Sequence, residues 1–342
     1  MTHNHWKRLL AAVLAVCLIV ATTATGAAAL GTRTKNVTRI AENTAASAGF
    51  DLGTYAEKLS DLLQVEWTGD VAADVGTLLT NAKLYNFLIV GVDSRVNDYA
   101  GRSDAMMVLT VNPMSKKVVM TSLLRDSYVD IPGHGQERLN EAYDLGGASL
   151  LKKTIYRNYG IKIDGYMVVN FNDLIAFVDD IGGVEMTLTK KEIPVINKYT
   201  SDQNKELYGR KTNPDALPVK GGTYRLNGMQ ALAYARVRYV GLDFGRTERQ
   251  RKVLTAAVKQ LLTLPVDRQA SIVAKYMLRV KTDVTLPELV FLLLVFATMD
   301  RYETSSMALP VEGTYRYKRI SGKEVIAVDF AANRAAWNAA VN

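Results

Sequence analysis

The sequence predicts an α/β layered fold, and three observations point there. From Tyr85 onward, apolar runs of strand length alternate with runs of helical spacing, which is the pattern of packed α/β layers. Glycines close the helical runs at Gly160 and at Gly182-Gly183. The chain has 342 residues, and the part beyond its apolar N-terminal run is long enough to bury a substantial core.

Taken in order, residues 1–8 carry Lys7 and Arg8, and residues 9–30 hold no charge. That run meets the roughly 20 apolar residues a helix needs to span a bilayer. Two readings fit it. An uncleaved signal anchor uses the whole run; a cleaved signal peptide uses 9–21 as its apolar core, with Ala27-Ala28-Ala29 as the cleavage site. Cations flank both ends, so charge does not choose; the length of the run favours the anchor. Either way residues 31–342 are exported. The single cysteine, Cys17, lies inside the run, so the exported part has neither a disulfide nor a cysteine metal site. Net charge is +8. Export removes nucleic acid as the partner this charge would serve, and favours anionic lipids, phosphates or wall polymers.

Residues 31–84 read as a polar stalk with one or two helices, with helical spacing at Phe50, Leu52, Tyr55, Leu59 and Leu62. Residues 85–342 form the main domain. Its strands fall at 86–93, 104–112 and 116–126, the last two joined by the turn Asn112-Pro113-Met114-Ser115. Short helices follow at 138–147 and 148–159. A strand at 166–171, a helix at 172–183 and a strand at 184–188 come next, then a long polar loop at 189–223. Helices are predicted at 226–235, 247–263 and 266–277. Residues 288–299 contain an apolar run too short to cross a bilayer, so it is read as a core helix.

The most informative stretch is 226–252, LNGMQALAYARVRYVGLDFGRTERQRK. Arg236, Arg238, Arg246, Arg249, Arg251 and Lys252 meet only two acids there, Asp243 and Glu248. Guanidinium groups are planar forks that match phosphate oxygens. Arg236 and Arg238 would point the same way on an extended stretch, and Gly241 and Gly245 bracket a turn. Thr247 and Gln250 make a possible capping box for the next helix; alternatively Arg246, Arg249 and Gln250 sit beside its N-terminus, where N–H groups favour anions. An anion site and a plain basic surface both stand.

The other charged residues cluster at strand ends, where α/β proteins build sites. The first strand ends in Asp93-Ser94-Arg95, the second begins after Gly101-Arg102-Ser103-Asp104, and the third ends in Arg125-Asp126. Asp93 and Asp104 could meet across their loop and bind Mg²⁺ beside substrate phosphates, or could cap turns and pair with Arg95 and Arg102. His3 and His5 precede the apolar run, and His134 lies in a glycine-flanked turn, a poor setting for a Ser-His-Asp triad. There is no P-loop, paired-histidine zinc motif or complete dinucleotide fingerprint. Arginines and carboxylates without a histidine base fit phosphoryl transfer, which works mainly by positioning and charge stabilisation.

Six motifs in order, NFLIVGVDSR, GRSDAMMVLTVNP, SLLRDSYVDIPG, RLNEAYDLGG, YMVVNFNDLIAFVDDIGGVEM and LNGMQALAYARVR followed by DFGRTERQRK, resemble the LytR-CpsA-Psr family of cell-wall enzymes over 86–254, with a continuation to about 310. The resemblance implies a three-layer α/β/α sandwich with a central mixed sheet and an apolar pocket for a polyprenyl chain, held outside the cytoplasmic membrane by a single N-terminal transmembrane helix. It implies a Mg²⁺-dependent phosphotransferase that moves a glycopolymer from a polyprenyl-pyrophosphate carrier to peptidoglycan, at the 6-hydroxyl of N-acetylmuramic acid. A hydrolase releasing the lipid phosphate to water, and a non-catalytic envelope regulator or polymer-binding protein, are the alternatives.

By that resemblance, Asp93 and Asp104 match the acidic pair near the metal. Arg102, Arg125 and Arg138 match pyrophosphate-binding cations, Arg138 lying before Asn140 and Ala142. Arg236 and Arg238 match the arginine pair after the Leu-Asn-Gly helix, and Asp243, Arg246 and Gln250 match the elements that follow. Arg251 and Lys252 read as surface charge. Two positions depart from the pattern. Leu124 stands where the family has proline, which predicts a looser turn at Arg125, and Arg251 stands where it has glutamine. The helices at 172–181 and 288–299 are candidates for lining the lipid pocket, although core packing explains most of their residues.

Overall fold

The computed structural model describes residues 31–48, 51–63, 70–94, 99–237 and 242–342. The expected anchor at 9–30 and Arg238 lie outside them, as does the side chain of Asp243. Three helices open the described chain: α1 (Gly31–Ala48), α2 (Leu52–Leu63) and α3 (Val71–Thr80). Then come β1 (Tyr85–Val92), β2 (Ser103–Asn112), β3 (Lys117–Leu123), β4 (Ser127–Ile131), β5 (Gly135–Arg138) and α4 (Glu141–Tyr159). The middle holds β6 (Gly165–Asn170), α5 (Phe171–Asp180), β7 (Val184–Leu188), α6 (Ile193–Tyr208), β8 (Gly222–Leu226) and α7 (Gly228–Arg236). The chain closes with α8 (Leu242–Thr263), α9 (Val266–Met277), β9 (Lys281–Thr282), α10 (Leu286–Ala297), β10 (Glu303–Leu309), β11 (Tyr315–Ile320), β12 (Lys323–Val328) and α11 (Phe330–Val341).

The main sheet is mixed, in the order β10-β3-β2-β1-β6-β9. β1 runs antiparallel to β2 and parallel to β6, and β3 pairs parallel with β10. β1 is apolar at nearly every position because both of its faces are covered. Phe87 and Ile89 enter one core, while Leu88, Val90 and Val92 enter the other. Residues of α3, α5, α7, α8, α9 and α10 fill the first core; those of α4 and α11 fill the second. Helices therefore cover both faces of the sheet, as the resemblance implies. A second sheet, β11-β12-β4-β5, and an antiparallel pair of β7 with β8, joined through α6, complete the described strands.

Several expectations need correction. The predicted polar loop 189–223 contains α6, whose apolar side is sparse but buries Ile193 and Ile196; its amides and hydroxyls, such as Asn204 and Thr200, bond inward rather than to water. The segment read as a stalk carries three helices, and Ala41, Ala45, Val75 and Leu79 sink into the first core. The strand predicted at 116–126 ends at Leu123 as β3, and β4 begins beyond it at Ser127. The paired glycines predicted to end one helix and precede another do break α4, at Gly146 and Gly147, where φ/ψ leave the helical region. The apolar run near 288–299 is a core helix as expected, with Leu289 through Phe296 all buried, and none of it lines the cavity described next.

Candidate active site

A cavity of about 680 Å³ opens at the C-terminal end of β1, between the main sheet and helices α5, α7, α8 and α9. Asp93 directly follows β1. At the same end, β1 and β2 slip register: Gly91 faces Ala105 but Val92 faces Ser103. Asp104 is thus the extra residue of a β-bulge, a device that re-aims a side chain, and it lines the cavity with Asp93. The close approach beneath it needs a glycine, because a Cβ on Gly91 would sit 3.1 Å from that of Ala105.

Arg125 is aimed by a tight turn between β3 and β4, closed by the Ser127 N–H donating to the Leu124 carbonyl at 3.1 Å. Leu124 itself donates to the Leu309 carbonyl at 2.9 Å. Proline could not make that bond, so the departure from the family pattern does not loosen the turn but ties it to β10. Arg125 pairs with the Asp104 carboxylate and, through Nε, with Asp126 at 3.3 Å.

Two carboxylates that sequence reasoning passed over hold the arginines in place. Asp126 also approaches Arg138 at 3.5 Å. Glu141, buried in the first turn of α4, accepts from Arg138 at 3.0 Å and from Arg102 at 3.1 Å. The spacing of Arg138 and Glu141, three apart at a helix start, was the available signal. Opposite charges at this range let several guanidinium groups share one mouth.

The far wall comes from α7 and α8. Gly228 opens α7 against α5: a Cβ there would sit 2.1 Å from the Ile175 carbonyl, and its N–H donates to Asp179 at 2.7 Å. This contact fixes α7, whose last residue is Arg236. The guanidinium of Arg236 lies 4.7 Å from the Phe171 ring centre and 3.7 Å from Asp93. Arg236 is therefore helical, not extended as its spacing from Arg238 suggested. Similarly, Gly245 and Thr247 lie within α8 rather than at its start. No cap forms at Thr247, whose hydroxyl instead donates to the Phe244 carbonyl. Arg246, Gln250, Val253, Leu254 and Ala257 recur on one face of α8 and all line the cavity, which grades from charged to apolar along a single helix. Phe171, Leu174 and Phe177 of α5, Ile89, Met107 and Met167 of the sheet, and Tyr276 and Val280 continue the apolar wall.

Of the residues expected at the site, Asp93, Asp104, Arg102, Arg125, Arg138, Arg236, Arg246 and Gln250 all line this one cavity. Arg249 does not. It is buried against Glu192 at 3.3 Å and donates to the Val237 carbonyl at 3.4 Å. Arg251 is not surface charge either. It reaches across to the Ser122 hydroxyl at 2.6 Å, because its place on α8 faces the sheet; Lys252 is half-exposed and pairs with Glu248. His134 is exposed in the turn between β4 and β5. Asn140, Asn170 and Asp173, which also line the cavity, were missed because single polar residues at helix starts look like ordinary caps; Asn170 is indeed one, accepting from the Asp173 N–H.

Among the described residues no cluster of three His, Cys, Asp or Glu side chains forms a metal cage. Asp93 and Asp104 supply two carboxylates on one wall, a donor set suited to a hard cation that draws its remaining oxygens from water and a bound phosphate.

The chain matches the LytR_cpsA_psr family model over residues 54–340. It is 36% identical over 219 residues to the polyisoprenyl-teichoic acid–peptidoglycan teichoic acid transferase TagU of Enterococcus faecalis, covering 62% of this chain and 65% of that protein. The chain therefore spans slightly less than two thirds of that relative's length. It is 29% identical to biofilm regulatory protein A of Streptococcus mutans over 299 residues, 80% of this chain and 70% of the other. Among solved structures, TagT of Bacillus subtilis with bound octaprenyl pyrophosphate lipid aligns with a TM-score of 0.57 and 25% identity, over 75% of this chain and 90% of that one. With the six motifs, the mixed sheet and the arginine-lined cavity on one chain, this protein belongs to the LytR_cpsA_psr family.

Proposed function

We propose that this protein transfers a glycopolymer, with its phosphate, from a polyprenyl-pyrophosphate carrier to peptidoglycan, at the 6-hydroxyl of N-acetylmuramic acid. The observation that carries this reading is a single cavity with an arginine mouth and an apolar interior. Such a space suits one amphiphile, a pyrophosphate joined to an isoprenoid. The names of the relatives support it: TagU is named as a teichoic acid transferase, and TagT binds octaprenyl pyrophosphate.

In this reading Arg102, Arg125, Arg138, Arg236 and Arg246 hold the pyrophosphate and stabilise the charge that grows on the leaving polyprenyl phosphate. Arg238, Asp243 and Gln250 complete the substrate contacts. Asp104 pairs with Arg125 and Asp93 lies 3.7 Å from Arg236; one of these two carboxylates aligns the sugar hydroxyl and accepts its proton. Mg²⁺ held by Asp93 and Asp104 would neutralise pyrophosphate charge when bound. Residues 9–30 anchor the chain in the cytoplasmic membrane, with the catalytic domain outside, where both lipid carrier and wall are found.

The test is a transfer assay with labelled polyprenyl-pyrophosphate glycan, with and without peptidoglycan and with and without Mg²⁺. Label moving to peptidoglycan only when acceptor and Mg²⁺ are both present supports the proposal. Lipid phosphate released equally without acceptor would identify a hydrolase, and no turnover under any condition would leave a binding or regulatory role.

A further inference from the structure

The donor's lipid and pyrophosphate fill the cavity in the proposed reaction, but the second substrate, a large sugar polymer, has no place in it. An exposed surface beside the mouth has the chemistry to take it. Phe244 lies in the first turn of α8, two residues before the cavity-lining Arg246. Its ring packs on Tyr315 of β11 at 5.3 Å, and Tyr315 packs on Tyr317 at 5.7 Å. The three rings form a ladder along β11, the edge strand of the second sheet; Tyr317 pairs with Ile326 of β12, whose N–H donates to the Asp126 carbonyl beside Arg125, and this brings β11 toward the mouth. Tyr317 is 57% exposed, so its ring is open to a ligand. The same strand carries Arg319 on the face of the two tyrosines, and Arg316 and Lys318 on the other, all exposed.

Aromatic faces next to flexible cations suit a polymer of sugar rings with pendant carboxylates. We infer that the Phe244–Tyr315–Tyr317 ladder, with Arg319, is the docking surface for the acceptor glycan strand of peptidoglycan. This rests on the transferase reading proposed above. The acceptor is assigned here, rather than the donor's polymer, for a physical reason. The donor is already fixed by its lipid and pyrophosphate, whereas the acceptor must be positioned wholly by outer-surface contacts. The strand lies along β11 with a sugar ring on the open Tyr317 ring, which stands edge-on to Tyr315, and its peptide carboxylates near Arg319, and it presents a hydroxyl to the mouth.

The experiment measures binding of soluble, uncrosslinked peptidoglycan strands to the full chain in detergent, alongside binding of the lipid-linked donor. Tyr317→Ala should weaken strand binding about tenfold, Tyr317→Phe should retain it, Arg319→Ala should weaken it and make it less dependent on salt, and donor binding should not change. Strand binding by Tyr317→Ala equal to that of the wild type overturns the inference. So does a loss confined to the donor, which would assign the ladder to the donor's polymer. A wild type that binds strands but transfers nothing in the assay above sinks the transferase reading and leaves the docking surface standing.

Discussion

Arg249→Met should cost folding stability while leaving the chemistry of the site intact. Arg249 lies on the same helix as Arg246, three residues away, but its side chain is only 7% exposed and pairs with a Glu192 that is 12% exposed. The Glu192 carboxylate also accepts from the Thr189 N–H at 2.9 Å and from the Thr189 hydroxyl at 2.8 Å. Methionine keeps most of the aliphatic stem, so the change isolates the charge. It leaves Glu192 buried beside a neutral side chain and takes a donor from the Val237 carbonyl. Breaking a buried pair on one side costs about 3–5 kcal/mol. At about 1.5 °C per kcal/mol for a chain of this size, a loss of about 3–5 kcal/mol should lower the midpoint by about 4–8 °C. Thermal melts of Arg249→Met, Glu192→Gln and the double variant would read this directly, and the double variant should recover a large part of the loss. A melting midpoint unchanged in Arg249→Met, together with loss of donor turnover, would refute the structural assignment and return Arg249 to the phosphate.

Other outcomes follow from the same geometry. Arg125→Ala and Arg236→Ala should each lower donor turnover by about 10²–10³-fold with melting midpoints close to the wild type's; full turnover in both variants would sink the pyrophosphate assignment. Gly228→Ala places a Cβ 2.1 Å from the Ile175 carbonyl and should cost about 1–3 kcal/mol in a denaturant melt, as overpacking does. Ala257→Trp fills the apolar end of the cavity and should raise the KM for a long polyprenyl donor more than for a short prenyl pyrophosphate. Equal effects on both would place the lipid elsewhere. For Glu192, burial alone would push the carboxyl up, but the Thr189 donors and Arg249 outweigh it and hold it below its ordinary 4.5. A carboxylate depressed by folding stabilises the protein above its unfolded pKa. Its contribution should therefore vanish as pH falls below about 4.5, and urea midpoints should show a smaller acid loss in Glu192→Gln than in the wild type.

Apolar periodicity made most of the fold legible. β1, β2 and β6 are continuous apolar runs because both faces are buried, and α9 and α10 stand close to where spacing puts them. What periodicity could not find was structure held by polar contacts or short edges. The helix α6 hides in a polar stretch because its amides bond inward. β4 alternates buried Val129 and Ile131 with less buried neighbours but spans only five residues, β5 is shorter still, and the C-terminal β10, β11 and β12 are largely exposed edge or hairpin strands with little apolar patterning. The site was legible residue by residue, since arginines and aspartates at strand ends are chemically conspicuous. Their supporting carboxylates, Asp126 and Glu141, were not, because an acid near an arginine looks the same in sequence whether it braces a site or sits in water.

The sequence by itself determined the chemistry available: an arginine-rich stretch without a histidine base, two aspartates at neighbouring strand ends, and apolar runs enough to build a layered core. Only the tertiary structure decided which arginine does what. Arg236, Arg246 and Arg249 lie within 14 residues of one another and share one side-chain chemistry. Yet helix phase and the contacts of α7 and α8 send Arg236 and Arg246 into the cavity, and send Arg249 to a buried partner on another element. Sequence spacing sets which residues can share a face. Which face meets the ligand depends on how the helices pack, and that is fixed by contacts as distant in the chain as Gly228 against Ile175.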